Sequence, residues 1–400
     1  MTKIHLGTPN GNHLMLAASL LLGWADTLTA APVIIAGEAR VSVTTVSVSG
    51  PPVHLSQSKS QQETSDHVRL QALIKDAIQG NLKAQITLGN MYDSGDGVQK
   101  NHTEAMKWYR LAAERGSAEA QFQIGSYCLL GIASPSDLPE AAKWFRKSAN
   151  QGYAPSQFAL GLMYERGSGM SVNYPEAAKW YDMAARQGHP MAQRYLGILY
   201  LKGLGVPKDY AKGKKLLQEA IDGGDEDAMA SMGSIYLWGI GVRTDYAEAA
   251  RWYRMAADRG VPAGQAWLAD LYFEGKGVPR NYAEAERLWR ASAEGGFFHG
   301  QTQLGLMYKD GRGVARNDAE ALKWLQKAAD QGDSVAQYHL GLMYFQGQGV
   351  KKDRVVGYMW AYLGASQGNP YARATCRFME KEMAPADIER AKAAARNWGR

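Results

Sequence analysis

The sequence predicts an all-α fold, an α/α solenoid (superhelix) of eight 36-residue helical hairpins with capping helices at its ends. Three observations predict it. One pattern recurs every 36 residues, eight times without a gap, and a fixed period in this range marks stacked units that cannot bury their apolar faces alone. Inside each period, apolar residues stand three or four apart in two separate stretches, the spacing of a helix face. Between the stretches lie paired glycines such as Gly239 and Gly241, which end a helix and permit positive φ.

At the N-terminal end, Leu14 to Trp24 is an apolar run of 11 residues, preceded by Lys3 and followed by the small residues Ala30 and Ala31. Residues 1–30 therefore read as a signal peptide; the run is too short for an ordinary membrane span, and no integral span is expected. An uncleaved anchor, or a start codon placed ahead of the true signal, are the other readings of the same run. The expected location is periplasmic or secreted, and cytoplasmic if the run is not a signal. Residues 31–65 carry VSVTTVSV, then Pro51-Pro52 and a polar tract without helical period, and read as a disordered linker. Residues 66–80 align with the second helix of a repeat and are expected to cap the array.

The unit 225–260 shows why each repeat is a hairpin. Ala228, Met232, Tyr236 and Leu237 form one stripe of a first helix from Asp227 to Trp238, and Gly233 removes a side chain where the second helix must come close. Asp245 and Glu248 have the spacing of a capping box, which starts the second helix at Tyr246. Ala249, Trp252, Tyr253, Ala256 and Ala257 supply its buried face, and Gly260 ends it. The other copies are 81–116, 117–152, 153–188, 189–224, 261–296, 297–332 and 333–368. In the second, the loop reads GIASPSDLP and Cys128 replaces the tyrosine; the fourth and eighth lose the first-turn acid, at Lys212 and Val356, which predicts softer second helices. Residues 369–400 supply the closing helices, the last beginning at Pro385.

The Leu-Gly pair returns as Leu88-Gly89, Leu160-Gly161, Leu196-Gly197, Leu304-Gly305 and Leu340-Gly341, the tyrosine as Tyr92, Tyr164, Tyr200, Tyr272, Tyr308 and Tyr344, and the indole as Trp108, Trp144, Trp180, Trp324 and Trp360. Together with the G-x-G-V loop and the 36-residue period, this pattern resembles the Sel1-like repeat (SLR) family, relatives of the tetratricopeptide repeats. The resemblance implies a right-handed superhelix that binds a protein on its inner, concave wall. It also implies three kinds of role: adaptors in envelope export and signalling, binders of host proteins, and immunity proteins that neutralise secreted effectors, possible lipases among them. Carried over to this chain, the wall positions include Phe122, Phe158, Arg194 and Tyr338 at one level, Leu201, Phe273 and Phe345 at a second, and Trp238 at the rim. The alternative for the second level, and for Trp238 and Arg194, is ordinary core between repeats.

Catalytic chemistry is not expected. The net charge of +6 is small for 400 residues and no basic run is interleaved with aromatics, which argues against a nucleic-acid partner. Cys128 and Cys376 lie too many units apart to pair, unlike the cysteine-rich SLR proteins, whose cysteine pairs bridge the two helices of each repeat; the departure speaks against a cell-wall or β-lactam hydrolase. The eight histidines make no zinc spacing, so neither metal nor cofactor is expected. The G-x-G loops lack the third glycine and the preceding strand of a phosphate cradle, and Ser56-x-x-Lys59 lies in the polar linker. The recurrent Glu104, Glu140, Glu176, Glu248, Glu284 and Glu320 read as first-turn acids and not as paired acid and base groups.

Overall fold

The computed structural model describes residues 68–398, so the expected signal peptide at 1–30 and linker at 31–65 lie outside the described residues. Among the described residues all regular structure is helical. Two compact units are present, one reaching to Leu196 and taking in Leu204–Val206, the other made of Gly197–Gly203 and the chain from Pro207 onward. The N-terminal unit holds α1 (68–78), α2 (Leu82–Ser94), α3 (His102–Glu114), α4 (Ala118–Leu130), α5 (Leu138–Asn150), α6 (Ala154–Arg166), α7 (Tyr174–Ala185) and the start of α8 (Pro190–Lys202). The C-terminal unit holds the rest of α8, then α9 (Tyr210–Asp222), α10 (Asp227–Trp238), α11 (Tyr246–Asp258), α12 (Pro262–Glu274), α13 (Tyr282–Glu294) and α14 (Phe298–Asp310). It continues with α15 (Asp318–Asp330), α16 (Ser334–Gln346), α17 (Arg354–Ser366), α18 (Pro370–Glu380) and α19 (Pro385–Asn397). Even-numbered helices are the first of each hairpin. Within each unit a hairpin packs on the next, so the core is a row of interfaces between neighbours.

Glycine sets the spacing inside a hairpin. A Cβ on Gly233 would lie 2.6 Å from Tyr253 Cε1, and Gly89, Gly125 and Gly161 meet Tyr109, Phe145 and Tyr181 in the same way. The expected core residue Trp252 is only half-buried; Tyr253, the ring after it, is the one that fills the space opposite the glycine. Trp324 and Trp360 are buried as expected.

The second helix starts as the sequence requires, but by half of a capping box. Asp245 Oδ1 accepts from the N–H groups of Ala247 and Glu248 at 3.0 Å. The return bond from Glu248 does not form, because the Asp245 N–H already donates to the Tyr236 carbonyl at 2.9 Å. The Glu248 carboxylate instead accepts from Arg251 at 2.6 Å and from the Trp252 indole at 2.9 Å. This explains why losing the acid does not cost the cap: Asp209 still accepts from the Lys212 N–H, and Asp353 from Val355 and Val356. The helices that follow keep 13 residues, and the cap on whose loss the expected softening rested is not lost.

Buried glutamines tie each unit together along its length. Gln301 Nε2 donates to the Ala293 carbonyl of the preceding second helix at 3.1 Å, and its Oε1 accepts from Gln331 at 2.8 Å. Gln121, Gln157 and Gln337 do the same with Gln151, Gln187 and Gln367. Each such amide is buried with both ends satisfied, the condition under which a polar core group stabilises and does not destabilise.

The second glycine of each loop has a further purpose. Gly277 has φ +69, and a Cβ on it would sit 2.3 Å from the Tyr246 carbonyl carbon, so the loop lies directly on the start of the preceding second helix. The divergent second copy places Ala133 at this position with φ 64. A left-handed alanine costs about 1–2 kcal/mol. Ala133→Gly relieves that strain against a smaller unfolded-state penalty, so a gain of about 1 kcal/mol is expected. A rise in the chemical-denaturation midpoint checks it; a fall contradicts it.

At the ends, α1 packs through Ala77 onto Ala84 and Leu88. Cys128 and Cys376 are free and buried, and burial pushes both thiols up, Cys376 to about 11. The last helix, α19, lies on α17, with Trp398 and Trp360 rings 4.6 Å apart.

Candidate functional site

Of the eight residues expected to line the wall, four are buried. In the N-terminal unit Phe158 is enclosed by the rings of Tyr181, His189 and Tyr195, with centroids 5.8, 5.0 and 5.4 Å away. Arg194 is 2 % exposed, with its guanidinium 4.9 Å from the Tyr195 ring centroid, so it is no surface donor. In the C-terminal unit Leu201 presses on Gly213, where a Cβ would meet its Cδ2 at 2.7 Å, and Phe345 lies beneath Arg354 and beside Phe378. These four are packing residues: the neighbouring helix covers the surface that a partner would need. For Leu201, Phe345 and Arg194 this matches the core alternative and overturns the expected place on the wall; for Phe158 it corrects the expectation.

The other four keep accessible surface. Phe122, in the N-terminal unit, rests on Phe145 and Tyr153 and is half-buried. Within the C-terminal unit Phe273 lies against Tyr282 and Trp289, and Tyr338 beside His339 and Tyr371. Trp238, the last residue of α10, is 52 % exposed although most of that helix is buried.

Behind Trp238 stands a group that reading by repeat position missed. Its indole meets Trp267 edge-on, with centroids 6.4 Å apart, and Trp267 stacks on His299 at 4.5 Å and 24°. The His299 Nε2 lies 2.7 Å from Asp270 Oδ2, and the Trp289 indole donates to Asp270 Oδ1 at 2.8 Å. Burial alone would push the His299 pKa down, but the charge of Asp270, its hydrogen bond and the charge of Asp333 outweigh that and leave it raised. Both Asp270 oxygens are therefore engaged, one by each ring, and the carboxylate fixes the orientation of His299 and hence of the stack on it. Such a group can hold an aromatic platform rigid. The signal available in the sequence was that Asp270 replaces the Ser234, Leu306 and Leu342 of other copies, one residue past the glycine position.

In the N-terminal unit a second polar group joins neighbouring repeats: Asp93 Oδ1 accepts from the Tyr127 hydroxyl and lies 2.9 Å from His102 Nδ1. Among the described residues no three of His, Cys, Asp and Glu converge in an arrangement that could hold a metal.

A family model described as Sel1 repeat matches eight segments, residues 82–117, 118–153, 154–189, 190–225, 226–261, 262–297, 299–333 and 334–369. A Sel1 repeat protein from Oxalobacter formigenes is 33% identical, with 61% of this chain and 96% of that chain covered and a TM-score of 0.55. A protective antigen present in uropathogenic Escherichia coli strains, displaying an SLR fold, is 29% identical over 85% of each chain, with a TM-score of 0.49. An immunity protein from Pseudomonas aeruginosa is 20% identical, covering 55% of this chain and 83% of that one, with a TM-score of 0.43. No curated protein matches the chain.

Proposed function

The chain belongs to the Sel1 repeat family, and from that premise we propose that it is a non-enzymatic scaffold of the bacterial cell envelope that binds a partner protein on the concave face lined by its first helices. The observation that supports this reading best is Trp238, an indole left open to solvent and backed by the Trp267–His299 stack. An exposed aromatic held in place from behind loses little freedom on binding, which is what an interface anchor needs. Phe273 and Tyr338 in the same unit, and Phe122 in the other, add accessible aromatic surface.

Affinity capture with the full chain identifies the partner, and calorimetry on variants then tests the face. Trp238→Ala is expected to weaken binding by about 2 kcal/mol or more with helical content unchanged. Arg251→Ala, an exposed residue of α11, is expected to change little. Equal affinity for the Trp238 variant and the parent would remove this face from the reading.

The envelope location is tested separately. Intact mass of the protein purified from an envelope fraction is expected to show cleavage near Ala30, after the apolar run Leu14 to Trp24. The uncleaved chain recovered from the cytosol would overturn it.

A further inference from the structure

Among the described residues, no following second helix packs back on the first helix α18. In a regular repeat the second helix packs back on the first, but α19 lies on α17 instead of forming a hairpin with α18. The sequence of α18 agrees with this. Arg377 stands 36 residues after Gly341, where that repeat and the one before it, with Gly305, remove the side chain so that the second helix can approach. Arg373 likewise stands 36 residues after Gln337, which is buried and hydrogen-bonded at both ends of its amide. Both arginines are exposed.

The side of α18 that would meet a following first helix is also open. Phe378 occupies the repeat position of Asp270, which in its own repeat reaches His299 on the next first helix at 2.7 Å. Ala374 occupies that of Thr302, which donates to Asp333 at the start of the next first helix at 3.0 Å. Among the described residues these contacts have no counterpart on α18: Phe378 is 53 % exposed, Tyr371 is 69 % exposed and Ala374 is exposed. Tyr371, Ala374 and Phe378 lie three and four residues apart, so they form one apolar stripe. Arg373 and Arg377 flank it. Among the described residues neither arginine forms an ion pair; Glu380 accepts from the Tyr358 hydroxyl at 2.6 Å and Glu382 pairs with Arg354 at 3.1 Å.

We propose that this face of α18 docks an amphipathic helix of a partner protein, with an apolar stripe laid on Tyr371, Ala374 and Phe378 and Asp or Glu residues along its flank facing Arg373 and Arg377. The occupant is a helix because Ala374 and Phe378 stand at the positions where one first helix of this chain meets the next, as Thr302 meets Asp333 and Asp270 meets His299. It is acidic because two exposed guanidinium groups that form no ion pair border the stripe. A second copy of the chain fits less well: face-to-face pairing through α18 would set Tyr371 of one copy against Phe378 of the other but gather Arg373 and Arg377 of both. The stripe adjoins the proposed wall, since Tyr371 lies 6.1 Å from Tyr338 between ring centroids, but Phe378, Arg373 and Arg377 are not residues of that wall, so variants at these three read α18 and not the Trp238 face.

The full chain is screened against a phage-displayed library of helical peptides, and the selected peptides are titrated against variants. Enriched sequences are expected to carry apolar residues at i, i+3 or i+4 and i+7 with Asp or Glu beside them. Phe378→Ala and the pair Arg373→Glu, Arg377→Glu are each expected to weaken these peptides at least tenfold, with circular dichroism and melting temperature unchanged. Arg251→Ala, on α11, is expected to leave them unaffected. Lack of enrichment, enrichment of basic or non-amphipathic peptides, or affinities insensitive to the α18 variants would overturn the proposal. So would a concentration-dependent dimer in sedimentation that Phe378→Ala abolishes, which would assign the face to a second copy.

Discussion

Trp289→Ala is expected to lower the free energy of unfolding by about 3–5 kcal/mol, the usual cost of truncating a buried aromatic. The indole is 2 % exposed, and its ring centroid is 5.0 Å from that of Phe273. Its truncation also leaves Asp270 Oδ1, on a half-buried side chain, without the donor at 2.8 Å, which adds about 1–3 kcal/mol where water cannot enter. Trp289→Phe separates the two effects, since it keeps most of the volume and removes only the donor; a cost of about 1–3 kcal/mol is expected for it. Guanidinium titration of parent and both variants, followed by far-ultraviolet circular dichroism, checks the order. A midpoint for Trp289→Ala equal to that of the parent would mean that the ring is not part of the core.

Gly277→Ala is the second large effect, and it has an internal control. At φ +69 an alanine pays about 1–2 kcal/mol for the left-handed backbone. Its Cβ would also meet backbone atoms, the Tyr246 carbonyl carbon at 2.3 Å and the Ala247 nitrogen at 2.6 Å, and no rotamer change can relieve that. Overpacking adds about 1–3 kcal/mol, for a total of about 2–5 kcal/mol. Gly260 has φ +77 with nothing within 4 Å of its added Cβ, so Gly260→Ala carries the backbone cost alone, about 1–2 kcal/mol. The difference between the two variants measures how tightly a loop sits on the preceding hairpin. Equal midpoints for the two variants would show that the loop yields at no cost.

The positions of the helices were legible because they are set by local chemistry. Asp245 caps, Gly239 terminates with its N–H on the Ile235 carbonyl, and α10 and α11 begin and end where those residues put them. Gly233 was legible for the same reason, as a missing side chain at a fixed place in the period. What a wall residue touches was not, since its exposure depends on the size of the residues in the following repeat. Phe158 is covered because His189 and Tyr195 are large, whereas Trp238 is left open with Trp267 only at its edge. Asp270 and His299 are separated by 29 residues, which is not a multiple of the period, so comparing equivalent positions could not pair them. Their proximity becomes visible once neighbouring first helices are known to lie side by side.

The glutamine ties bear on how such a chain reaches its fold. A tie within a hairpin closes 30 residues, as from Gln331 to Gln301, and a tie to the preceding hairpin closes only 8, as from Gln301 to Ala293. The entropy of loop closure is therefore small and the same wherever a tie occurs. Folding speed follows such sequence separations more than chain length, and a chain of this kind starts from whichever hairpin forms first and grows outward from it. Adding or deleting a whole 36-residue unit leaves that starting step as it was, so the array is free to change length without slowing its own assembly.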